Sequence, residues 1–398
     1  MIPNQPPKIC ITSSYGLNVE SSMIKGATSE RLSDLFKKIL NILDISMALS
    51  LFASLFMDKW LPTRWSLPET IVDLTGRTVI ITGSNIGLGF EAAKMFYEMN
   101  PERLILAVRS VSKGEDAKRQ LESNVRSSDV SSSRPKVDVW EIDMASFESV
   151  KAFANRCKTE LKRIDVFLAN AAVTKVDWTV TADGWETGLQ TNVLSTFLLA
   201  TLVAPLLINT GKLPPPKSGI SLKPHLVIVV SDVHFIASLK DQYQPDILRS
   251  LNTQPAKFDY NSRYQDTKLI DVLLTRQLAE HPQLKQDTSG IVICGVNPGF
   301  CRSELMRETP SFVRMTLYAL FARTTQEGAK NYLWSSLTNE IPQGSYTSSC
   351  AVEAPSSFVR SEKGKQVQRK LWNEVGAVLT SIAPEVGEYW TNGASFST

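Results

Sequence analysis

A chain of 398 residues with 43% hydrophobic and 21% charged residues has an ordinary globular composition and is long enough to bury a large core. Its formal net charge of +3 is too small to indicate a nucleic-acid-binding protein. The five cysteines form no CxxC pair and the three histidines lie far apart. We therefore expect no metal site and no disulfide framework.

The N-terminal region differs from the rest of the chain. Its first 30 or so residues are polar and, without a basic run before an apolar core, do not resemble a secretory signal, so we expect a reducing, cytoplasmic setting. From Leu35 to Met57 an apolar helical run follows, but its uncharged part is shorter than the ~20 residues that span a bilayer. Three roles stay open: a docking or interfacial helix with peripheral membrane contact, a true membrane anchor, and a helix for a partner protein. We predict an N-terminal extension over residues 1–66 and one domain over 67–398.

Beyond Leu74, short apolar strands alternate with longer helical segments, a pattern typical of βαβ units and a parallel sheet. The predicted strands are Thr78–Thr82, Leu104–Val108, Val137–Glu141, Val166–Leu168, Leu226–Val230 and Ile291–Val296. The predicted helices are Phe90–Met99, Val111–Ser123, Ser146–Leu161, Trp185–Leu207 and Tyr264–Leu278. The expected fold is α/β: a Rossmann-type, doubly wound parallel sheet of about seven strands flanked by helices, with an N-terminal helical extension.

Three connections lack a strand or helix pattern. Ser127–Arg134 and Gly211–Lys223 are rich in Ser, Pro, Gly and Lys and are expected to be surface insertions. The connection His234–Ser262 is long, and long ordered loops tend to be functional. We expect it to cover a substrate.

A glycine-rich segment lies between the first predicted strand and the helix near Phe90. Glycine there permits a tight turn and lets backbone N–H groups approach a pyrophosphate, which the positive end of the helix also attracts. The spacing is GxxxGxG rather than GxGxxG, so the triplet alone is also compatible with a plain strand-to-helix turn. Its position at the first βα junction favours a dinucleotide site. The expected contacts are Gly83, Ser84, Asn85, Ile86, Gly87, Leu88 and Gly89.

The end of the second strand bears on which nicotinamide is used. An acid there would bind the ribose 2′-hydroxyl, whereas an Arg accommodates a 2′-phosphate. Arg109 follows the strand, with Lys113 one helical turn beyond. Unless both are merely solvated charges, they favour NADP over NAD.

Two further sites, one after the third strand and one after the fourth, have two interpretations each. Asp143, after the third strand, accepts a hydrogen bond from the adenine amino group or caps the helix that starts at Ser146. Asn170 and Ala171, after the fourth strand, lie where the chain passes close to the cofactor, or simply allow close packing of strand and helix.

Four polar residues form a candidate catalytic centre. Tyr264 and Lys268 are four apart on a predicted helix and share one face, so the ammonium and the positive charge of an oxidised nicotinamide are together expected to lower the pKa of the tyrosine toward working pH. Ser231 follows the fifth strand at the carboxyl edge of the sheet, where its hydroxyl would polarise a carbonyl. Asn192 would hold a water that relays protons to Lys268, which would also bind the nicotinamide ribose. Each residue alone also has a structural explanation; together and in this order they favour hydride-transfer chemistry.

These motifs resemble the short-chain dehydrogenase/reductase family over roughly Leu67 to Tyr346. The matching segments are Thr82–Gly89, Asn170–Ala172, Ser231, Tyr264–Lys268 and Asn297-Pro298-Gly299, and the last implies that Pro298 and Gly299 contact the cofactor. The longer pattern looks most like the retinol-dehydrogenase-like branch and fungal secondary-metabolite members. Phe358–Ser361 and Trp372–Glu374 extend the likeness to about Pro384. Ala172 departs from the family's usual glycine.

The resemblance implies an NADP-dependent reductase of a hydrophobic ketone or aldehyde, or the reverse reaction on an alcohol, and by analogy a homodimer through the helices of Asn192 and Tyr264. Two alternatives stay open: a catalytically silent NADP-binding scaffold, and a membrane-tethered enzyme that acts on lipids with Leu35–Met57 as its anchor. An apolar, ring-bearing substrate would contact His234, Phe235, Phe300, Leu305 and Met306, although packing alone would select the same residue types.

Overall fold

Strands and helices alternate along the chain from residue 78 onward. The computed structural model describes residues 67–123, 134–216, 220–285, 290–301 and 322–391. The strands are β1 Thr78–Thr82, β2 Arg103–Val108, β3 Lys136–Glu141, β4 Val166–Ala169, β5 His225–Val229, β6 Val292–Asn297, β7 Ser345–Ser348 and β8 Ala351–Glu353. The longer helices are α1 Gly87–Glu98, α2 Val111–Ser123, α3 Phe147–Glu160, α4 Ser195–Lys212, α6 Tyr260–Ala279, α7 Thr325–Leu337 and α9 Glu362–Ile382. The short ones are α5 Ile247–Leu251, α8 Ser357–Arg360 and α10 Gly387–Thr391.

The strands of the described residues form one sheet in the order β3-β2-β1-β4-β5-β6-β7-β8. Neighbouring strands are parallel from β3 to β7, and β8 runs antiparallel to β7. The winding direction reverses between β1 and β4, which are neighbours although β2 and β3 come between them in the chain. In such sheets the crevice at the carboxyl ends beside the reversal is where ligands bind. The Rossmann-type fold is confirmed, with eight strands instead of about seven.

Both faces of the sheet are covered, which explains why its central parallel strands, β2, β1, β4, β5 and β6, are mostly apolar. Along β1, Val79 and Ile81 point into a core shared with α1, α2 and α7. Ile80, between them, points into a second core shared with α3, α4, α6 and α9. The alternation of side chains along a strand thus distributes one apolar run between two helical layers.

The observed elements differ from the predicted ones mainly at their ends. The helix predicted from Tyr264 begins one turn earlier, because Asp259 caps it by accepting hydrogen bonds from the N–H groups of Asn261 and Ser262. The helix predicted over Trp185–Leu207 was wrong in its first part: a π-helix, Leu189–Leu194, precedes α4.

The predicted insertions were only partly right. Gly211 belongs to α4, which ends at Lys212, and all of Ser127–Arg134 except its last residue lies outside the described residues. The connection His234–Ser262 is not a loop. It carries the end of one 3-10 helix, Asp232–Phe235, a second one, Lys240–Tyr243, then α5 and the first residues of α6.

The C-terminal extension packs onto the sheet domain. Along α9, the buried residues Val367, Leu371, Val375 and Leu379 recur every four positions and form one apolar face. This face belongs to the same core as α6, and the Gln368 amide donates to Gln277 of α6 at 2.9 Å. The outer side of α6 is therefore covered by the chain itself.

The predicted N-terminal helix, Leu35–Met57, and the boundary at residue 66 lie outside the described residues. Within the described part, the segment Leu189–Lys212 is long and apolar enough to cross a membrane, but it is mostly buried inside the protein. It is a core helix of the α/β domain.

Candidate functional site

The glycine-rich turn after β1 adopts a conformation that side chains would disfavour. Gly83 and Gly87 have φ of +66° and +61°. A Cβ on Gly89 would lie 2.5 Å from the Gly83 carbonyl oxygen, so the turn and α1 meet too closely for any other residue. A Cβ on Gly87 would meet no atom of the described residues within 4 Å.

Donors of the same turn lack partners, as expected where a dinucleotide pyrophosphate binds. No side chain caps α1, whose N-cap residue is Ile86. The Ser84 side chain is fully buried, and its hydroxyl has no hydrogen-bond partner among the described residues. Asn85 is half-buried and Ile86 is exposed, whereas Leu88 packs against the core, so Leu88 can serve a ligand only through its backbone. The residues present fit the predicted cofactor.

Asn170 fastens this turn to the end of β4. Its amide donates to the carbonyl oxygens of Thr82 at 2.9 Å and Gly83 at 3.2 Å. The Thr82 hydroxyl in turn accepts from the N–H groups of Asn170 and Ala171. The hydrogen bonds of Asn170 and Ala171 thus hold the glycine-rich turn in place. That these two residues also contact the cofactor stays a prediction.

The residues predicted to select the cofactor lie at the same sheet edge. Arg109 and Lys113 are exposed, and neither side chain has a hydrogen bond or ion pair to another described residue. Asp143 is half-buried and accepts from the Ala145 N–H at 2.9 Å. The capping alternative for Asp143 was wrong, because Ser146 caps α3 by accepting from the Ser149 N–H.

Ser231 follows β5 and begins a 3-10 helix. Its hydroxyl donates to the Asp232 carboxylate at 3.1 Å and accepts from the Val233 N–H at 3.3 Å. It lies at the carboxyl edge of the sheet, where the sequence predicted it. It is half-buried, so a ligand can reach it.

Tyr264 and Lys268 project from α6, which packs against the 3-10 helix after β5. The Lys268 ammonium donates to the Val229 carbonyl oxygen at 2.8 Å, and this bond fixes α6 against the end of β5. Its nitrogen lies 6.0 Å from the centre of the Tyr264 ring. Ser231, Tyr264 and Lys268 are thereby brought to one end of the sheet.

The pKa of Tyr264 is raised by its surroundings. Burial raises the pKa of this phenol above its ordinary value, and the carboxylates of Asp232 and Asp271 raise it further. The Lys268 ammonium is paired with Asp271 at 3.0 Å, and the lowering expected from Lys268 together with an oxidised nicotinamide stays a prediction. Tyr264 is accordingly held in its protonated form.

Asn192 lies in the π-helix, and its amide is already bound. The Asn192 oxygen accepts from the Val173 N–H at 2.8 Å, and its nitrogen donates to the Val173 carbonyl and to the Thr267 hydroxyl. The extra residue of a π-turn, a feature frequent at functional sites, turns this amide toward α6. Asn192 joins the loop after β4 to the helix of Tyr264; the proton relay to Lys268 stays a prediction.

Two connecting residues were not recognised from the sequence in these roles. His234 was expected to contact substrate, but it is buried: its Nδ1 lies 2.7 Å from the Ser231 carbonyl oxygen, and its Nε2 accepts from the Ser356 N–H. Burial lowers the pKa of His234 to about 4, so the ring is neutral. Asn297 accepts from the N–H groups of both Asp232 and Gly299. No periodicity or spacing would have shown these contacts.

The Asn297-Pro298-Gly299 turn also meets a cation that sequence patterns missed. Gly299 has φ of +79°, and a Cβ there would lie 3.0 Å from the Arg323 guanidinium. One guanidinium nitrogen of Arg323 is buried without a partner among the described residues, and the other terminal nitrogen donates to the Ser349 hydroxyl. Pro298 uses its carbonyl oxygen to accept from Asn331. Of the apolar substrate candidates, Phe235 is exposed and Phe300 half-buried, while Leu305 and Met306 lie outside the described residues.

A separate cavity of about 650 Å³ lies between α5 and α9. Its walls include Trp185, Asp246 and Glu374, but none of the predicted catalytic residues. The Glu374 carboxylate already accepts from the Ile247 and Leu248 N–H groups, so it acts as a clamp between α9 and α5.

Comparison with known proteins identifies the family. Residues 77–213 match the family model described as short chain dehydrogenase. The chain is 37% identical to the short chain dehydrogenase/reductase dmxR8 of Cryptosporiopsis sp. (strain 8999), over 81% of this chain and 96% of the relative. It is 35% identical to the short-chain dehydrogenase anuD of Penicillium roqueforti (strain FM164), over 85% of this chain and 84% of the relative.

Solved structures share the fold at lower identity. A short-chain type dehydrogenase/reductase from Mycobacterium marinum aligns with TM-score 0.51 and 19% identity, over 69% of this chain and 94% of that one. The NADP complex of Pseudomonas aeruginosa RhlG aligns with TM-score 0.51 and 17% identity, over 69% and 95%. The glycine-rich turn, the Ser231 position and the Tyr264–Lys268 pair thus occur on the expected fold, and the chain belongs to the short-chain dehydrogenase/reductase family.

Proposed function

We propose that this protein is an NADP-dependent oxidoreductase that reduces a hydrophobic ketone or aldehyde, or oxidises the corresponding alcohol. The observation that carries the proposal is the bond between the Lys268 ammonium and the Val229 carbonyl oxygen. It places the helix of Tyr264 beside the end of β5, directly before Ser231. The glycine-rich turn of β1 opens at the same edge of the sheet.

The roles of the side chains follow from this arrangement. The bound nicotinamide cofactor supplies or accepts the hydride. The Ser231 hydroxyl would give up its bond to Asp232 and donate to the substrate carbonyl oxygen instead, which polarises the carbonyl. Tyr264, protonated at rest, would donate its proton to the oxygen on which negative charge develops. In the oxidation direction Tyr264 would take that proton back.

The preference for NADP is supported by the exposed cations after β2. Arg109 and Lys113 have no partner among the described residues, so a 2′-phosphate would add charge-assisted bonds without breaking existing ones. We further propose that the unpartnered guanidinium nitrogen of Arg323, beside Gly299, binds the cofactor. The candidate contacts of Asp143, Asn170, Pro298 and Gly299 complete the proposed cofactor site.

The substrate is proposed to be apolar and ring-bearing, as in fungal secondary metabolism. The exposed ring of Phe235 lies after Ser231 and packs edge-on against Tyr346 at 6.0 Å. A flat apolar molecule would gain contact area on this ring. The retinol-dehydrogenase-like placement remains part of the same prediction.

The proposal includes a cytoplasmic location. Burial raises the pKa of the free thiols of Cys157 and Cys294 to about 12, so both are unreactive core residues. Peripheral membrane contact through Leu35–Met57 stays a prediction on residues outside the described part. The homodimer is not included, because α9 covers α6 and most of α4 is buried in the core.

Loss of NADPH absorbance with a panel of ring-bearing ketones and aldehydes tests the proposal. We expect turnover with NADPH, a weaker rate with NADH, and a higher kcat/KM for apolar carbonyls than for small polar ones. Tight NADPH binding without consumption of any carbonyl or alcohol would favour the silent scaffold. A preference for NADH would contradict the cofactor assignment.

A further inference from the structure

The ammonium of Lys268 is buried and has one carboxylate partner among the described residues. Lys268 is 3% and Asp271 is 1% exposed, and the distance from the ammonium nitrogen to Asp271 Oδ2 is 3.0 Å. The two residues are three apart on α6 and share a face. An ammonium has three N–H donors, of which Val229 and Asp271 take two. One donor is left for a ligand.

Among the described residues, Lys268 is the group that favours the ionised form of the Asp271 carboxylate. Its other carboxylate oxygen is buried and has no donor among the described residues. Burial raises the pKa of Asp271 to about 6, while Lys268 acts in the opposite direction. Burying an ion pair carries a desolvation cost that can exceed the attraction between the charges, so a buried salt bridge is weak evidence for a role in stability.

We propose that Asp271 is a positioning residue for the catalytic centre: it is the counter-ion that keeps the Lys268 ammonium charged and fixed in direction. The inference rests on the proposed function and deepens it. Without a neighbouring anion, a buried ammonium would lose its proton more readily. The Val229 carbonyl alone would hold one N–H but would not supply the compensating charge.

Asp271 also acts on Tyr264. Its negative charge opposes formation of the phenolate. In carbonyl reduction the active form then has a protonated Tyr264 and a charged Lys268, and Asp271 favours both. Removing the charge of Asp271 therefore shifts both groups in one direction, toward earlier loss of their protons as the pH rises.

Other titratable groups face this centre from neighbouring elements. Asp232, at the start of the 3-10 helix after β5, raises the pKa of Tyr264. Tyr332 of α7 and Cys301 after β6 are buried with pKa values raised by burial, so both are neutral at working pH. Among these groups only Asp271 pairs with Lys268 in the described residues. Replacing Asp271 should therefore affect the Lys268 ammonium more than replacing any of these other groups.

The test compares wild type, Asp271→Asn and Asp271→Glu in the pH dependence of kcat/KM for NADPH-driven carbonyl reduction. Asparagine keeps the shape and an oxygen acceptor for Lys268 but removes the charge; glutamate keeps the charge. We expect Asp271→Asn to move the alkaline limb down by about 1 pH unit or more, the size expected for an opposite charge within ~4–6 Å. On the acidic plateau its rate should stay within a few-fold of wild type. In Asp271→Glu the alkaline limb should lie at its wild-type position.

Binding of NADPH, followed by its fluorescence between pH 7 and about 10, supplies a readout without turnover. In Asp271→Asn the affinity should fall as the pH rises, because Lys268 loses its charge, whereas wild type and Asp271→Glu should hold theirs. An unshifted limb together with pH-independent binding in a well-folded Asp271→Asn protein would overturn the proposal. If wild type turns over no carbonyl, the proposed function fails, and the binding series alone decides the role of Asp271.

Discussion

The two sides of the sheet reversal position their functional groups in different ways. In the cofactor half, from β1 to β3, backbone geometry within a few residues makes the site: Gly83, Gly87 and Gly89 form the turn and its cradle. In the catalytic half, from β5 to α9, contacts between distant segments make it: Lys268 reaches Val229, and His234 reaches Ser356. Substitutions in the cofactor half should therefore change mainly the affinity for NADPH. Substitutions in the catalytic half should change mainly the rate of turnover and its pH dependence.

The largest expected effect is on the chemical step in the catalytic half. Tyr264→Phe removes one hydroxyl with little change in shape, so kcat should fall by at least about 10²-fold, the contribution of general acid catalysis. The dissociation constant for NADPH should stay within a few-fold. Tyr243→Phe is the matched control, because that tyrosine is 72% exposed and outside the proposed site. Near-normal turnover of Tyr264→Phe would mean that another group donates the proton.

The next effect concerns acid stability. The pKa of His234 is lowered to about 4 from an ordinary value of 6.5, so its stabilising contribution is complete above pH 6.5 and is lost as the pH falls toward 4. The loss should reach about 3 kcal/mol at most, at 1.36 kcal/mol per pKa unit. Chemical unfolding across this pH range should show a flatter dependence for His234→Gln, whose amide can both donate and accept.

His225 and His281 also have lowered pKa values and remain in both proteins, so the difference between the two curves isolates His234. Parallel curves would contradict a neutral, buried role for this ring.

A smaller effect is expected within the glycine turn. Gly89→Ala places a Cβ 2.5 Å from the Gly83 carbonyl oxygen and 2.6 Å from the Asn170 amide, so the free energy of unfolding should fall by about 1–3 kcal/mol. Gly87→Ala should cost only about 1–2 kcal/mol for its positive φ. Its Cβ has room in the protein, so its main effect should be on NADPH affinity. If Gly87→Ala were less stable than Gly89→Ala, the close approach at Gly89 would not be the main steric constraint in the turn.

The smallest effect should be the discrimination between cofactors. Arg109→Asp should weaken NADPH binding by about tenfold through loss of a charge-assisted phosphate contact, while NADH binding changes much less. Arg119→Asp, an exposed charge reversal on α2, controls for net charge. Equal losses for NADPH and NADH in Arg109→Asp would remove the basis for NADP selectivity.

The same contrast explains what the sequence could predict. The apolar strands, the glycine turn and the Tyr264–Lys268 spacing are local patterns. The sequence therefore could predict the strands, the turn after β1 and the helix face that Tyr264 and Lys268 share. β7, with the sequence Ser-Tyr-Thr-Ser, has no apolar run and becomes a strand by pairing with β6. The π-helix before α4 and the clamp of Asn192 on Val173 depend on tertiary packing. The raised pKa of Tyr264 depends on burial of the phenol and, after that, on Asp232 and Asp271, whose proximity no pattern within one segment reveals.

The cover of α9 over α6 has a consequence for synthesis of the protein. The catalytic helix is complete at Ala279, but its cover ends only at Ile382. At translation rates of about 5–20 residues per second, the ribosome needs roughly 5–20 s for the intervening segment. During this time Gln277 lacks Gln368 as its partner, and the apolar face of the helix lacks the side chains of Leu371 and Val375. A nascent chain that already contains Ser231, Tyr264 and Lys268 therefore leaves this apolar face uncovered until the C-terminal helix emerges.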